Sequence, residues 1–160
     1  MSGLAKGRKA IFITGAASGM GLETARLFAR EGWFVGGVDV NEAGLTALEA
    51  ELGAENCLVQ QLDVIDRDAY AAALDRFADA SDGRLDVLYN NAGIGRGGPF
   101  ADQPWADVLA VVNVNFIGVL TGIHLAIPLL KATPGSLCFT TSSSSATYGM
   151  PMIAVYSATK

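Results

Sequence analysis

The sequence has little cysteine, one histidine and no excess of basic residues. Two cysteines in 160 residues are too few for a disulfide-rich protein. Eleven lysines and arginines stand against sixteen acidic residues, so the net charge of −5 lacks the basic excess typical of nucleic-acid-binding proteins. The His, Cys and Asp residues do not follow a metal-ligand spacing, so we expect no metal site. Residues 1–9 lack the apolar core of a signal peptide and are expected to form a loose N-terminal arm.

Apolar and glycine residues are abundant instead. Hydrophobic residues make up 51% of the chain, which is too many for a disordered protein. The chain holds 19 glycines without a Gly-X-Y period, so they are expected in tight turns and close backbone approaches. The length suits one domain spanning residues 1–160.

Short apolar runs alternate with amphipathic segments along the chain. Helices are predicted at 20–31, between Asn41 and Gly53, at 66–80 and at 105–130. The predicted strands are Lys9–Thr14, Trp33–Asp39, Cys57–Val64, Leu85–Asn90 and Ser136–Ser142. Alternating strands and helices with continuously apolar strands predict a doubly wound parallel α/β sheet of the Rossmann type.

The segment 108–130 carries no formal charge and contains Gly118-x-x-x-Gly122, which also suits a transmembrane helix. Asn113, Asn115 and Pro128 are awkward in hydrocarbon. A helix that packs on a sheet and on a partner subunit explains the same composition, and this second interpretation is favoured.

A glycine-rich turn follows the first predicted strand. The residues Thr14-Gly15-Ala16-Ala17-Ser18-Gly19-Met20-Gly21 connect this strand to the first helix. Such glycines let the backbone approach a pyrophosphate, and the helix N-terminus offers free N–H donors. The turn predicts dinucleotide binding, with contacts from Gly15, Ser18, Gly19, Met20 and Gly21.

Asp39 ends the second predicted strand. In a Rossmann-type sheet this position faces the adenosine ribose, where a carboxylate accepts hydrogen bonds from the hydroxyls and repels a 2′-phosphate. Neither Ser18 nor the residues Val40-Asn41 supply a cation for such a phosphate. The sequence therefore favours NAD over NADP.

Five motifs occur in order along the chain. They are Thr14-Gly15-x-x-x-Gly19-x-Gly21, Leu62-Asp63-Val64, Asn90-Asn91-Ala92-Gly93, Asn115, and Ser143 thirteen residues before Tyr156-x-x-x-Lys160. In this combination the chain resembles the short-chain dehydrogenase/reductase family.

The resemblance implies a strand order 3-2-1-4-5 and roles for the motif residues. Asp63 and Val64 contact adenine, and Asn91, Ala92 and Gly93 border the cofactor. Asn115, Ser143, Tyr156 and Lys160 form the catalytic set, and the last two also contact the cofactor. Tyr156 is the implied general acid/base. A free phenol holds its proton at neutral pH, and an ammonium one helical turn away stabilises the phenolate.

The implied activity is NAD-dependent hydride transfer between the cofactor and a secondary alcohol or ketone. One alternative is a non-catalytic, regulatory NAD-binding domain. A second is an epimerase or dehydratase of the extended relatives, which usually space their glycines as T-G-x-x-G-x-x-G.

The resemblance also implies a homodimer or homotetramer. The acidic net charge and the polar residues within 108–130 predict no nucleic-acid or membrane partner, and two free thiols suit a reducing cytoplasm. The subunit seam is expected near Val111, Val114, Leu120 and His124. Family members continue well beyond the Tyr156 motif, so the chain is expected to lack their C-terminal third and to be inactive alone. Cys57 and Cys138, on opposite sides of a sheet with the implied strand order, are expected to be free thiols.

Overall fold

The computed structural model describes residues 4–160, which form a parallel sheet covered by helices. Its strands are β1 (Ala10–Thr14), β2 (Phe34–Asp39), β3 (Cys57–Gln61), β4 (Val87–Asn90) and β5 (Leu137–Thr140). Its α-helices are α1 (Gly19–Arg30), α2 (Glu42–Leu52), α3 (Arg67–Ala80), α4 (Trp105–Val112), α5 (Gly118–Ala132) and α6 (Ala154–Thr159).

The sheet has the order β3-β2-β1-β4-β5, and all of its neighbouring strands are parallel. The predicted doubly wound fold and strand order are therefore confirmed. From β1 the chain proceeds outward to β2 and β3 on one side, and from β4 it proceeds outward to β5 on the other side. This reversal of strand order opens a crevice at the carboxyl ends of β1 and β4.

Alternate residues of β1 supply two cores, one on each face of the sheet. Phe12 packs with Phe77 of α3, with ring centroids 5.2 Å apart. Ile11 and Ile13 belong to the cluster on the opposite face, beneath α1 and α2. Burial on both faces explains why the strands are continuously apolar.

Side chains cap the starts of α2 and α3. Asn41 accepts a hydrogen bond from the N–H of Gly44, and Asp66 accepts one from the N–H of Ala69. Several strands are shorter than predicted. β3 ends at Gln61, and the chain turns soon afterwards, where the side chain of Asp63 accepts a hydrogen bond from the N–H of Ile65.

The long helix predicted at 105–130 is interrupted. A π-helical turn spans Asn113–Ile117 between α4 and α5, a feature that the apolar periodicity did not indicate. The continuous run Trp105–Ala132 is long and apolar enough to cross a membrane by length and composition.

Two glycines of α5 pack against the body of the protein. A Cβ on Gly118 would meet Val64, and one on Gly122 would meet the hydroxyl of Tyr70. The Gly-x-x-x-Gly spacing is therefore accounted for by packing on the sheet side of this chain.

Two local expectations are corrected. Ala5 is fully buried and donates to the carbonyl of Ala80, and Arg8 donates to Asn56, so residues 5–8 are not a loose arm. Residues 1–3 of that predicted arm lie outside the described chain. Val111 is fully buried in a cluster with Val108 and Val155, because it faces α6, and it cannot belong to a subunit seam.

The two cysteines are free, as expected. Cys57 lies in β3 and Cys138 in β5, the two edge strands of the sheet.

Candidate active site

A cleft of about 500 Å³ lies at the carboxyl ends of the strands. Its walls come from the segments that follow β1, β3 and β4 and from the end of β2. They contain all of the predicted cofactor residues except Gly21, Tyr156 and Lys160. The lining residues are Gly15, Ser18, Gly19, Met20, Val38, Asp39, Val40, Leu62, Asp63, Val64, Asn91, Ala92, Gly93, Ile94 and Val114.

The turn after β1 requires glycine for two different reasons, a positive φ at Gly15 and Gly19 and a close backbone approach at Gly21. Gly15 has a φ of +72°, which side chains rarely adopt. Gly19 has a φ of +53°, and a Cβ there would meet nothing within 4 Å, so this position is open. A Cβ on Gly21 would collide with the carbonyl oxygen of Gly15. Gly21 thus lets α1 begin directly behind the turn, although it does not line the cleft.

The turn is fixed to the end of β4 by side chains. The hydroxyl of Thr14 accepts hydrogen bonds from the N–H groups of Asn91 and Ala92, each at 3.0 Å. The Asn91 amide nitrogen donates to the carbonyls of Thr14 at 3.1 Å and Gly15 at 3.3 Å. Thr14 was not predicted as a site residue, since its role is visible only when β1 and β4 are adjacent.

Asp39 lies at the end of β2 with both carboxylate oxygens hydrogen-bonded to the backbone. Oδ2 accepts from the N–H of Ala17 and Oδ1 from the N–H of Asn41, each at 3.0 Å. These contacts hold the half-buried carboxylate between the turn after β1 and the segment after β2, where it lines the cleft. Among the lining residues in the described chain, none is a lysine or arginine.

The π-helical turn places Asn115 beside Gly93 and Ile94, two residues that line the cleft. Asn115 is only 3% exposed. Its Oδ1 accepts from the N–H of Ile94 at 2.8 Å, and its Nδ2 donates to the carbonyl of Ile94 at 2.9 Å. The same nitrogen donates to the hydroxyl of Thr159 at 3.1 Å, and this hydroxyl donates to the carbonyl of Tyr156. Asn115 therefore connects the segment after β4 with α6.

Tyr156 and Lys160 lie next to each other on α6 and its C-cap, as their spacing predicted. The Lys160 Nζ is 5.6 Å from the centre of the Tyr156 ring and donates to the carbonyl of Thr141 at 3.3 Å. Partial burial of Lys160 lowers its pKa below the ordinary value for lysine.

Gly93 lies beside both Lys160 and Asn115, where a side chain would crowd their polar atoms. A Cβ on Gly93 would lie 3.1 Å from the Lys160 Nζ and 3.3 Å from the Asn115 Oδ1. The ammonium and the amide oxygen therefore flank the same point of the backbone.

Ser143 begins the 3₁₀ turn Ser144–Ala146, and its hydroxyl oxygen caps this turn. The neighbouring Ser142 donates to the carbonyl of Lys160 at 3.0 Å, which ties the segment after β5 to the end of α6. The structure thus brings Ser143, Tyr156 and Lys160 into one region, together with Asn115 and Gly93.

The hydroxyls of Thr141 and Thr159 were missed by the sequence analysis. Thr141 Oγ1 donates to the Asn91 side chain at 3.3 Å, while its carbonyl accepts from Lys160. Neither threonine has a local pattern that distinguishes it, because their partners are distant in sequence.

The chain was compared with known proteins. A family profile described as short chain dehydrogenase matches residues 9–160. The 3-oxoacyl-acyl-carrier-protein reductase FabG of Thermotoga maritima is 37% identical over 155 residues, covering 95% of this chain and 62% of the relative. The probable oxidoreductase EphD of Mycobacterium tuberculosis is 40% identical over 114 residues, covering 70% of this chain and 19% of the relative.

Solved structures agree with this match. A short chain dehydrogenase/reductase from Burkholderia phymatum, crystallised in complex with NAD, has a TM-score of 0.90 at 30% identity, covering 95% of this chain and 55% of that one. The chain thus spans less than two thirds of the length of each of these three proteins. The resemblance found in the sequence is confirmed, and the chain belongs to the short chain dehydrogenase family.

Proposed function

We propose that this chain carries the cofactor site and the acid/base residues of an NAD-dependent oxidoreductase acting on a secondary alcohol or its ketone. One observation carries the proposal. A glycine-lined cleft at the crevice between β1 and β4 includes Gly93 and Ile94, which border a partly buried cluster of Asn115, Tyr156 and Lys160. The cleft suits a dinucleotide, and the cluster beside it suits proton transfer.

The described residues fit a dinucleotide. Gly19 is open to the cleft and Gly15 has a left-handed conformation, so the backbone can approach a pyrophosphate without side-chain obstruction. Ser18 begins α1 without capping it through its side chain, which leaves N–H groups of the first turn for an anionic group.

NAD is the expected form of the cofactor. The Asp39 carboxylate is held at the end of β2, where it can accept hydrogen bonds from ribose hydroxyls and repels a 2′-phosphate. The absence of a basic residue from the described lining removes the partner that such a phosphate requires.

The acid/base step is assigned to Tyr156. A nicotinamide cofactor held by the glycine turn and Asp39 would supply the hydride transfer. As a phenolate, Tyr156 accepts the proton of the substrate alcohol, and as a phenol it donates the proton to the ketone oxygen; the nearby Lys160 ammonium stabilises the phenolate. Ser143 donates a hydrogen bond to the same substrate oxygen. Asn115 anchors α6 to the segment after β4, so these groups keep their spacing.

Association through α4 and α5 is part of the proposal. Large apolar residues on one side of these helices are exposed: Leu109 at 42%, Phe116 at 49% and Leu120 at 47%. His124 lies on the same side. A second copy covering this side would bury a contiguous apolar patch. We place the resulting homo-oligomer in the cytoplasm.

Turnover and cofactor titration test the proposal. NADH and NADPH are titrated by fluorescence, and oxidation or reduction is followed with a panel of secondary alcohols and ketones, using the longest product of the reading frame. We expect NADH to bind at least about tenfold more tightly than NADPH, and Asp39→Asn to narrow this ratio. A protein that binds NADH but turns over none of the alcohols and ketones, whatever the length of the expressed chain, would instead support a non-catalytic NAD-binding domain. Equal affinities for the two cofactors would overturn the role of Asp39.

A further inference from the structure

The four consecutive serines 142–145 have the same chemistry but different surroundings. Ser142 is exposed and donates to the carbonyl of Lys160. Ser144 is exposed on the outside of the 3₁₀ turn. Ser143 is half-buried, whereas Ser145 is only 3% exposed and cannot touch a substrate. The structure thus separates residues that sequence spacing alone could barely distinguish.

Ser145 makes two hydrogen bonds to Ser143. Its backbone N–H lies 3.2 Å from the Ser143 Oγ, and its hydroxyl oxygen lies 2.9 Å from the same atom. An N–H group can only donate, so the Ser143 oxygen accepts at least this bond.

The direction of the hydroxyl bond follows from burial. If Ser143 donated to Ser145, the proton of the buried Ser145 hydroxyl would need a different acceptor, and a buried donor without an acceptor is costly. The Ser143 Oγ is the partner that the structure gives the Ser145 hydroxyl. Ser145 therefore donates, and Ser143 accepts.

The consequence concerns the remaining proton of Ser143. A hydroxyl group has two acceptor lone pairs and one proton. Both lone pairs of Ser143 are engaged by Ser145, so the hydroxyl can make a further strong hydrogen bond only by donating. A group that can only donate is suited to an oxygen on which negative charge develops.

We propose that Ser145 is a positioning residue that converts Ser143 into a fixed hydrogen-bond donor toward the substrate oxygen. This inference rests on the proposed function, because it assigns a partner to the serine of the proposed acid/base set. It goes beyond the family motif, which singles out Ser143 by its distance from Tyr156 and gives no role to Ser145.

A double-mutant cycle tests the proposal. The variants are Ser145→Ala, Ser143→Ala and the double variant, with Ser144→Ala as a matched control on the same turn. We expect Ser145→Ala to lower kcat/KM for ketone reduction by about tenfold, mainly through kcat, because the donor is needed where charge develops. The dissociation constant of NADH should change by less than about twofold, and Ser144→Ala should behave like the unmutated protein.

The double variant separates positioning from a purely structural role. If Ser145 acts through Ser143, the double variant should be no slower than Ser143→Ala within about twofold. If the loss of kcat/KM in the double variant equals the product of the losses in the two single variants, the proposal is overturned. It is also overturned by a Ser145→Ala variant that is as active as Ser144→Ala while Ser143→Ala is impaired.

A failure of the proposed function has a different signature. If the unmutated protein turns over and Ser143→Ala leaves the rate intact, the role of Ser143 in the proposed function falls, and the role of Ser145 falls with it. If Ser143→Ala is slow and only Ser145→Ala is fast, the proposed function stands and the positioning role alone is overturned.

Discussion

The two ends of the cleft are built differently. At the end formed by β1–β3, five of the six residues of β2 are buried and Asp39 is held by two backbone N–H groups. At the end formed by β5 and α6, all four residues of β5 are exposed, and α6 has only six residues. The first end is enclosed by helices on both faces of the sheet, and the second depends on side-chain contacts.

This difference indicates how each end obtains its geometry. The first end, proposed to hold the adenosine and called the adenosine end below, relies mainly on the backbone conformation of the Gly15 turn and the start of α1, with Thr14 and Asn91 tying the turn to β4. The second end, proposed to carry the acid/base residues and called the acid/base end below, relies on long-range hydrogen bonds. Examples are the bonds that join Asn115 to Ile94 and Thr159. Substitutions at the two ends should therefore separate cofactor binding from turnover.

The largest effect is expected at the acid/base end. Tyr156→Phe should lower kcat by at least about a hundredfold, because general acid/base catalysis contributes on the order of 10²–10⁴. The affinity for NADH should stay within about twofold, since the glycine turn and Asp39 are untouched. Steady-state kinetics and fluorescence titration measure both quantities. Tyr148→Phe, at a 58% exposed tyrosine before α6, is the control. Undiminished turnover in Tyr156→Phe would refute the assigned mechanism.

The converse effect is expected at the adenosine end. Gly21→Ala should weaken NADH binding by more than about tenfold, because its Cβ would collide with the Gly15 carbonyl and displace the turn. Gly149→Ala is a matched control, since its Cβ would meet nothing within 4 Å and its φ is not positive. Titration of both variants, with circular dichroism to confirm folding, decides the result. A folded Gly21→Ala variant with unchanged affinity would contradict the assigned role of this turn.

A smaller effect is expected on association. Leu120→Asp should weaken self-association by at least about tenfold, because it puts a charge into the apolar side of α4 and α5. Leu27→Asp is the control, since Leu27 on α1 is 43% exposed against 47% for Leu120. Sedimentation velocity over a concentration series measures the change. A monomeric unmutated protein at micromolar concentration would rule out the proposed seam.

The smallest effect concerns one thiol at each edge of the sheet. Cys57 is 1% exposed, and its burial raises its pKa to about 11, so it should resist a thiol reagent at pH 8 in the native protein. Cys138 is exposed, although partial burial of its sulfur also raises its pKa, and it should react slowly. Counting modified thiols should give one without denaturant and two with it. Equal reactivity of both native thiols would show that the β3 edge opens as readily as the β5 edge.

Much of the adenosine end could be predicted from the sequence. The apolar strands, the helix start at Asn41, the glycine turn and Asp39 are all local patterns. They succeed because backbone sterics and strand burial act over a few residues, and because the strand order followed from the family resemblance.

The acid/base end could be predicted only as a set of spacings. The distances along the chain placed Tyr156 and Lys160 together, but they did not indicate the π-helical turn at Asn113–Ile117 that carries Asn115. The apolar helix predicted at 105–130 and the family resemblance placed Val111 at a subunit seam, whereas its contact with α6 buries it.

The sequence by itself determined the doubly wound sheet and the glycine turn, because hydrophobic periodicity and glycine conformation are properties of short segments. The cleft residues after β3 and β4 were implied by the family resemblance. Only the tertiary structure decided which hydroxyls support the site. Thr14, Thr141, Ser145 and Thr159 acquire their roles from the groups they contact. Three of them, Thr14, Thr141 and Thr159, contact partners 44 to 78 residues away in the sequence. The direction of a hydrogen bond between two hydroxyls depends on burial and on the other available partners, and neither is encoded in the spacing of residues along the chain.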